Sequence, residues 1–162
     1  MGVSGCGKTS VGRQLASALQ LDFIEGDELH PPRNVALMAA GTPLTDADRA
    51  DWLATIAARL AQAQAGGRGL VVSCSALKRR YRDVLRAACP GLRLIHLHGP
   101  ATLLRQRMGA RTGHYMPPSL LDSQLATLEL PAADEAAIIL DITPPTPQLV
   151  AAALAQLQGN SS

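Results

Sequence analysis

The sequence predicts a single α/β domain in three layers, a parallel sheet with helices on both faces, and three observations carry that expectation. Short apolar runs alternate with longer Ala/Leu-rich segments of helical period, the pattern of a parallel sheet covered by helices. Residues 2–9, GVSGCGKT, read G-x-x-x-x-G-K-[ST], a loop that belongs between a strand and a helix. The chain has 162 residues, enough for one sizeable core and short of two, because domains run to about 100 to 200 residues.

The strands are expected at residues 21–25, 70–74, 92–98 and 137–142, each a short apolar run. Helices are expected between them. The first, 8–19, follows the glycine-rich loop directly. The second, 46–65, carries Trp52, Ile56 and Leu60 at i, i+4 and i+8, with Thr45 placed to cap its start and Gly66 and Gly67 to close it. Others span 78–88, 101–110, 119–129 and 148–158, and Pro144 and Pro145 separate the last strand from the last helix. Within the region 107–130, the stretch 112–118, TGHYMPP, interrupts two helical segments with a glycine and a proline pair and reads as part of a lid.

Composition narrows the function. Charged residues make up 17% of the chain and the net charge of +2 is spread along it, so no basic block calls for nucleic acid or an anionic membrane. A small anionic ligand fits better. The aromatic residues, Phe23, Trp52, Tyr81 and Tyr115, are too few for the stacking platform of a single-strand binder. The three cysteines, Cys6, Cys74 and Cys89, lack C-x-x-C spacing, which indicates neither a disulfide framework nor a zinc site. No signal-like segment opens the chain and no run of about 18 apolar residues follows. The expectation is a cytoplasmic protein without a membrane span or a nucleic-acid partner.

The loop defines the chemistry. Its glycines let successive backbone N–H groups point inward at a phosphate, and the following helix adds the positive end of its dipole. Gly2, Ser4, Gly5, Cys6, Gly7, Lys8, Thr9 and Ser10 form the expected nucleotide-binding stretch. Lys8 would reach the β and γ phosphates, and the Thr9 hydroxyl would face Mg²⁺. The strand that should feed such a loop is represented at most by Met1, Gly2 and Val3. Such a strand is normally central and apolar, so the reading expects a start upstream of Met1. It also expects the chain to be less stable than one extended by about six apolar residues, because buried unpaired backbone groups are costly.

Carboxylates stand at the carboxyl end of the 21–25 strand, the edge where α/β sheets bind ligands. Glu25 and Asp27 straddle Gly26. Phosphoryl transfer needs one carboxylate for the metal's water shell and one to orient or deprotonate the attacking hydroxyl; Glu25 is assigned the first role and Asp27 the second. His30 follows in HPPRN, as a structural hydrogen-bonder or a catalyst. His96 and His98 share a strand face but lack a third ligand for zinc. No aspartate ends the 70–74 strand, which returns the metal's burden to Glu25 or Asp27. Lys78, Arg79, Arg80 and Arg82 cannot all face one ligand, so most should be solvated, with one or two left to grip a substrate carboxylate. Arg107 and Arg111, four apart, can divide labour between the adenine ring and the charge on the transferred group.

These segments together resemble the small P-loop gluconate kinases, relatives of shikimate and adenylate kinases. The likeness runs through GVSGCGKT, EGDELHPPRNVALMAAGTPLTDADRADWL, CSALKRRYRD and RTGHYMPPSLLDSQLATLELP, and covers nearly the whole chain. It implies a P-loop nucleoside-triphosphate kinase fold whose first central strand is largely missing here. It implies ATP-dependent phosphorylation of D-gluconate at its terminal hydroxyl, with Mg²⁺, by a cytoplasmic homodimer. Carried onto this chain, Gly5, Gly7, Lys8 and Thr9 hold phosphates, Asp27 meets the sugar hydroxyl, Arg111 is the lid arginine, and His30, Arg33, Arg49 and Lys78 are assigned to the sugar acid. A shikimate-type kinase of the same fold, or a truncated module that binds nucleotide without transfer, are the alternatives.

Overall fold

The computed structural model describes residues 1–110 and 118–159; the expected lid stretch lies outside them except for Pro118. The order is α1 (Lys8–Leu19), β1 (Asp22–Glu25), a 3₁₀ turn (Gly26–Leu29), α2 (Pro32–Ala39), α3 (Asp46–Ala65), β2 (Leu70–Ser73), α4 (Arg79–Ala88) and β3 (Ile95–His98). Then follow α5 (Ala101–Gly109), α6 (Pro118–Thr127), a 3₁₀ turn (Ala133–Glu135), β4 (Ile138–Asp141) and α7 (Thr146–Gly159).

Helix starts follow local chemistry. At α3 the Thr45 hydroxyl accepts from the Asp48 amide at 3.2 Å and the Asp48 carboxylate accepts from the Thr45 amide at 2.9 Å, a reciprocal cap that contributes about 1 kcal/mol. Trp52, Ile56 and Leu60 then point inward together. Helix α2 is not among the expected helices: Pro32 occupies its first turn, where its missing N–H costs nothing. The strands are shorter than the apolar runs that announced them; β3 begins at Ile95, although the Leu94 carbonyl already accepts from the Ile138 amide at 2.8 Å.

The sheet is split. β1 pairs with β2 in parallel, Asp22 opposite Leu70 and Glu25 opposite Ser73; β3 pairs with β4 in parallel, Ile95 opposite Ile138 and His98 opposite Asp141. Among the described residues, the first residues of the chain stand between β2 and β3: the Leu97 amide donates to Met1 O at 2.9 Å and the Gly2 amide donates to Ser75 O at 3.2 Å. The Met1 ammonium donates to Ile95 O. Behind them lies an apolar cavity of about 390 Å³, lined by Val11, Leu15, Ile56, Leu60, Val72 and Ile95 among others. Burial lowers the Met1 amine's pKa to about 6.

Two apolar clusters flank this gap. One joins α1, β3, β4, α5 and α7 through Leu15, Leu97, Leu104, Ile142 and Ala153; the other joins α3 and α4 through Trp52, Ile56, Leu60, Tyr81 and Leu85. One basic residue runs against the expected solvated face. Arg82 is fully buried, its Nε donating to Glu135 Oε2 at 2.5 Å and Nη2 to Glu135 Oε1 at 2.7 Å. Its Nη1 donates to the carbonyls of Ala76, Leu77 and Glu129. Arg82 therefore ties the loop after β2 to the end of α6 and is structural.

Candidate active site

The phosphate loop wraps into the start of α1. Gly7 stands at that start with φ of 92°, a left-handed conformation that side chains disfavour. A Cβ built there would meet nothing within 4 Å, so the concavity above the loop amides is free for a phosphate. Lys8 Nζ donates to Val3 O at 3.1 Å, which folds the ammonium back over the loop. Cys6 is fully buried and offers the site its backbone alone. Ser10 is exposed in the first turn of α1.

Glu25 ends β1 beside this loop. Thr9 Oγ1 donates to Glu25 Oε2 at 2.5 Å, and Ser73 Oγ donates to Glu25 Oε1. The Gly26 amide in turn donates to Ser73 Oγ at 3.2 Å. Only glycine permits that approach, since a Cβ at position 26 would lie 2.1 Å from Ser73 O. Among the described residues no group of three or more His, Cys, Asp and Glu is placed to hold a metal. The oxygen pair of Thr9 and Glu25 nevertheless suits Mg²⁺, which takes hard oxygen ligands, keeps several waters and relies on substrate phosphates.

A small pocket of about 50 Å³ opens next to the loop, lined by Ser4 and Lys8, by Asp27, His30 and Arg49, by Ser75 and Leu77, and by Ser123, Gln124 and Thr127 of α6. Asp27 is exposed at the turn after β1. His30 lines the same pocket: its ring stacks on Trp52 with centroids 4.3 Å apart and planes 11° apart, while Trp52 Nε1 donates to Gly26 O at 2.7 Å. Burial lowers the pKa of His30 to about 4, against the pull of Asp27, so the ring is neutral at pH 7. Asn34 Nδ2 lies 3.3 Å from His30 Nδ1 and donates to Asp48 O at 2.6 Å. An amide NH₂ only donates, so Nδ1 accepts and the proton of neutral His30 sits on Nε2, a donor for a hydroxyl.

The structure thus brings Ser4, Lys8, Asp27, His30 and Arg49 to one pocket, with Thr9 and Glu25 hydrogen-bonded beside the loop. It does not bring Arg33 or Lys78. Arg33 is 78% exposed and pairs with Asp48 at 3.3 Å; Lys78 pairs with Asp46 at 3.0 Å, an acid that also engages Arg80 and Tyr81. Arg107 donates from Nη2 to Ile142 O at 2.8 Å, at the end of β4. Arg111 lies outside the described residues. Sequence reasoning missed Asn34, Ser73, Ser123, Gln124 and Thr127; for Asn34 a signal was present, four residues after His30 on what proves to be a helix start.

A phosphate cradle, with its lysine and a carboxylate lining one pocket and Glu25 at the carboxyl end of a parallel strand beside it, defines a phosphoryl-transferring P-loop protein. The "AAA domain" family profile matches residues 1–131. Gluconokinase of Gluconobacter oxydans (strain 621H) is 51% identical over 138 residues, 85% of this chain and 78% of that one. Thermoresistant gluconokinase of Escherichia coli (strain K12) is 40% identical over 95% of this chain and 89% of its own. The crystal structure of a gluconokinase from Sinorhizobium meliloti 1021 superposes with a TM-score of 0.89 at 49% identity, covering 100% of this chain and 95% of that one. The chain belongs to the gluconokinase family of P-loop kinases.

Proposed function

We propose that this protein transfers the γ-phosphoryl group of ATP to D-gluconate, giving ADP and 6-phospho-D-gluconate. The observation that carries the reading is that Lys8 and Asp27 line one pocket, the lysine on the phosphate side and the carboxylate on the side of the alcohol. The loop amides and Lys8 hold the phosphates. His30 Nε2–H and Arg49 bind the polyol and its carboxylate, Arg49 by virtue of its charge. Asp27 accepts the proton of the attacking hydroxyl as its oxygen bonds to the γ-phosphorus and the bond to the bridging oxygen of ADP breaks. Thr9 and Glu25 would hold Mg²⁺ and its water shell; the ion, when bound, offsets charge on the phosphate oxygens.

No helix among the described residues is long and apolar enough to cross a membrane. The reading further makes the protein a cytoplasmic homodimer, as the resemblance to gluconate kinases implies; sedimentation as a monomer at micromolar concentration would remove the dimer. The function itself is tested by following ADP release with ATP and Mg²⁺ against gluconate, shikimate and a nucleoside monophosphate. Turnover of gluconate well above the others is expected. Preference for shikimate or the nucleotide, or binding of ATP without transfer to any acceptor, would overturn the reading.

A further inference from the structure

Helix α6 forms one wall of the acceptor pocket, and Gln124 is where that wall meets the phosphate loop. The Ser4 amide donates to Gln124 Oε1 at 2.7 Å. A backbone N–H can only donate, so the carboxamide oxygen must face the loop, and Nε2 keeps the side chain's two donors for another partner. Gln124 also lines the pocket that holds Lys8, Asp27 and His30. A side chain pinned at one end by the nucleotide's own loop sets where a hydroxyl bound at its other end will lie relative to that nucleotide.

We propose that Gln124 binds the acceptor, with Oε1 anchored on the Ser4 amide and Nε2 donating to a hydroxyl of the sugar acid beside Asp27. The inference rests on the gluconokinase reading and adds a residue to its substrate site. It also gives α6 a role: the helix carries one end of the acceptor's hydrogen-bond network and fixes the distance between the acceptor and the phosphate loop. Loss of one neutral donor to substrate corresponds to about three- to tenfold in kcat/KM. An ionised oxygen in its place, in the same pocket as the Asp27 carboxylate, should cost more.

The test compares the unaltered protein with Gln124→Leu and Gln124→Glu. Glutamate keeps an acceptor for the Ser4 amide but replaces the donor with a negative oxygen, and so separates the two ends of the side chain. The expected result is gluconate turnover by the unaltered protein, a fall of about three- to tenfold in kcat/KM for gluconate in the leucine variant and a larger fall in the glutamate variant. ATP affinity by calorimetry should stay within about threefold and the glutamate variant should melt within about 2 °C of the parent. A glutamate variant with parental kcat/KM would overturn the proposal, because anchoring alone would then suffice. So would an equal loss of ATP and gluconate binding in both variants, which marks a support of the loop. Absence of gluconate turnover by the unaltered protein would overturn the proposal and the functional reading together.

Discussion

Replacing Glu135 by glutamine should destabilise the fold severely, because it leaves the Arg82 guanidinium charged and uncompensated in the interior. Both side chains are essentially inaccessible, 0% for Arg82 and 1% for Glu135. Removing one partner of a buried pair costs about 3 to 5 kcal/mol, since the remaining charge keeps its desolvation penalty. Glutamine still offers one acceptor, and Arg86, whose Nη2 lies 2.5 Å from Glu135 Oε2, keeps its pair with Asp83 at 3.0 Å, which together argue for the lower end. A loss of about 3 kcal/mol converts to a melting temperature lower by about 6 to 12 °C for a domain of this size. Urea unfolding at pH 7 reads the loss directly, and the double variant Arg82→Met with Glu135→Leu should regain most of it by removing both charges.

The same pair makes a pH prediction. Hydrogen bonds from Arg82, then from the Ala132 amide and Arg86, hold the Glu135 carboxyl well below the usual carboxylate range. A depressed folded pKa contributes stability above the unfolded value, near 4.5, that is lost as pH falls towards the folded value. The gap between parent and Glu135→Gln should therefore narrow below pH 4.5. A loss under about 1 kcal/mol at pH 7, or a gap unchanged at low pH, would refute the account of this buried pair.

Two histidines should govern stability in mild acid: burial lowers the pKa of His30 and of His96 to about 4, so the unfolded chain binds protons that the fold refuses. Stability should fall as pH drops from 6.5 to about 4, and His30→Gln should flatten part of that slope in denaturant titrations followed by fluorescence of Trp52. An apolar pentapeptide fused ahead of Met1 should enter the cavity between β2 and β3 and raise the melting temperature by about 5 °C or more; equal melting temperatures would refute this.

Much of the framework is legible in the residues. Helices α1 and α3 coincide with expectation because a loop motif, a Thr45 cap and an i, i+4 apolar stripe all agree on their boundaries. Helix α2 was hidden by a proline pair whose second member begins a helix. The loop and the Glu25, Gly26, Asp27 turn are legible because their spacing alone brings them to the carboxyl ends of strands. Arg33 and Lys78 each hold an ion pair in the structure. Their partners, Asp48 and Asp46, sit at a helix start distant in sequence, and nothing in the spacing announces the competition for their charge. Arg82 looked like one more basic residue in a run, and only the packing of Glu135 against it makes it a core residue. Gln124 meets Ser4 across 120 positions, a contact that only tertiary structure creates.

Asp27 shares its pocket with Lys8, and kcat for ATP-dependent phosphorylation of gluconate by Asp27→Asn tests its proposed role as proton acceptor most directly. Asparagine preserves the shape and a hydrogen bond to the hydroxyl but cannot take its proton. The predicted result is a kcat lower by about 10²- to 10⁴-fold with ATP affinity unchanged. A kcat within about tenfold of the parent would contradict the assignment of Asp27 and the transfer geometry built on it.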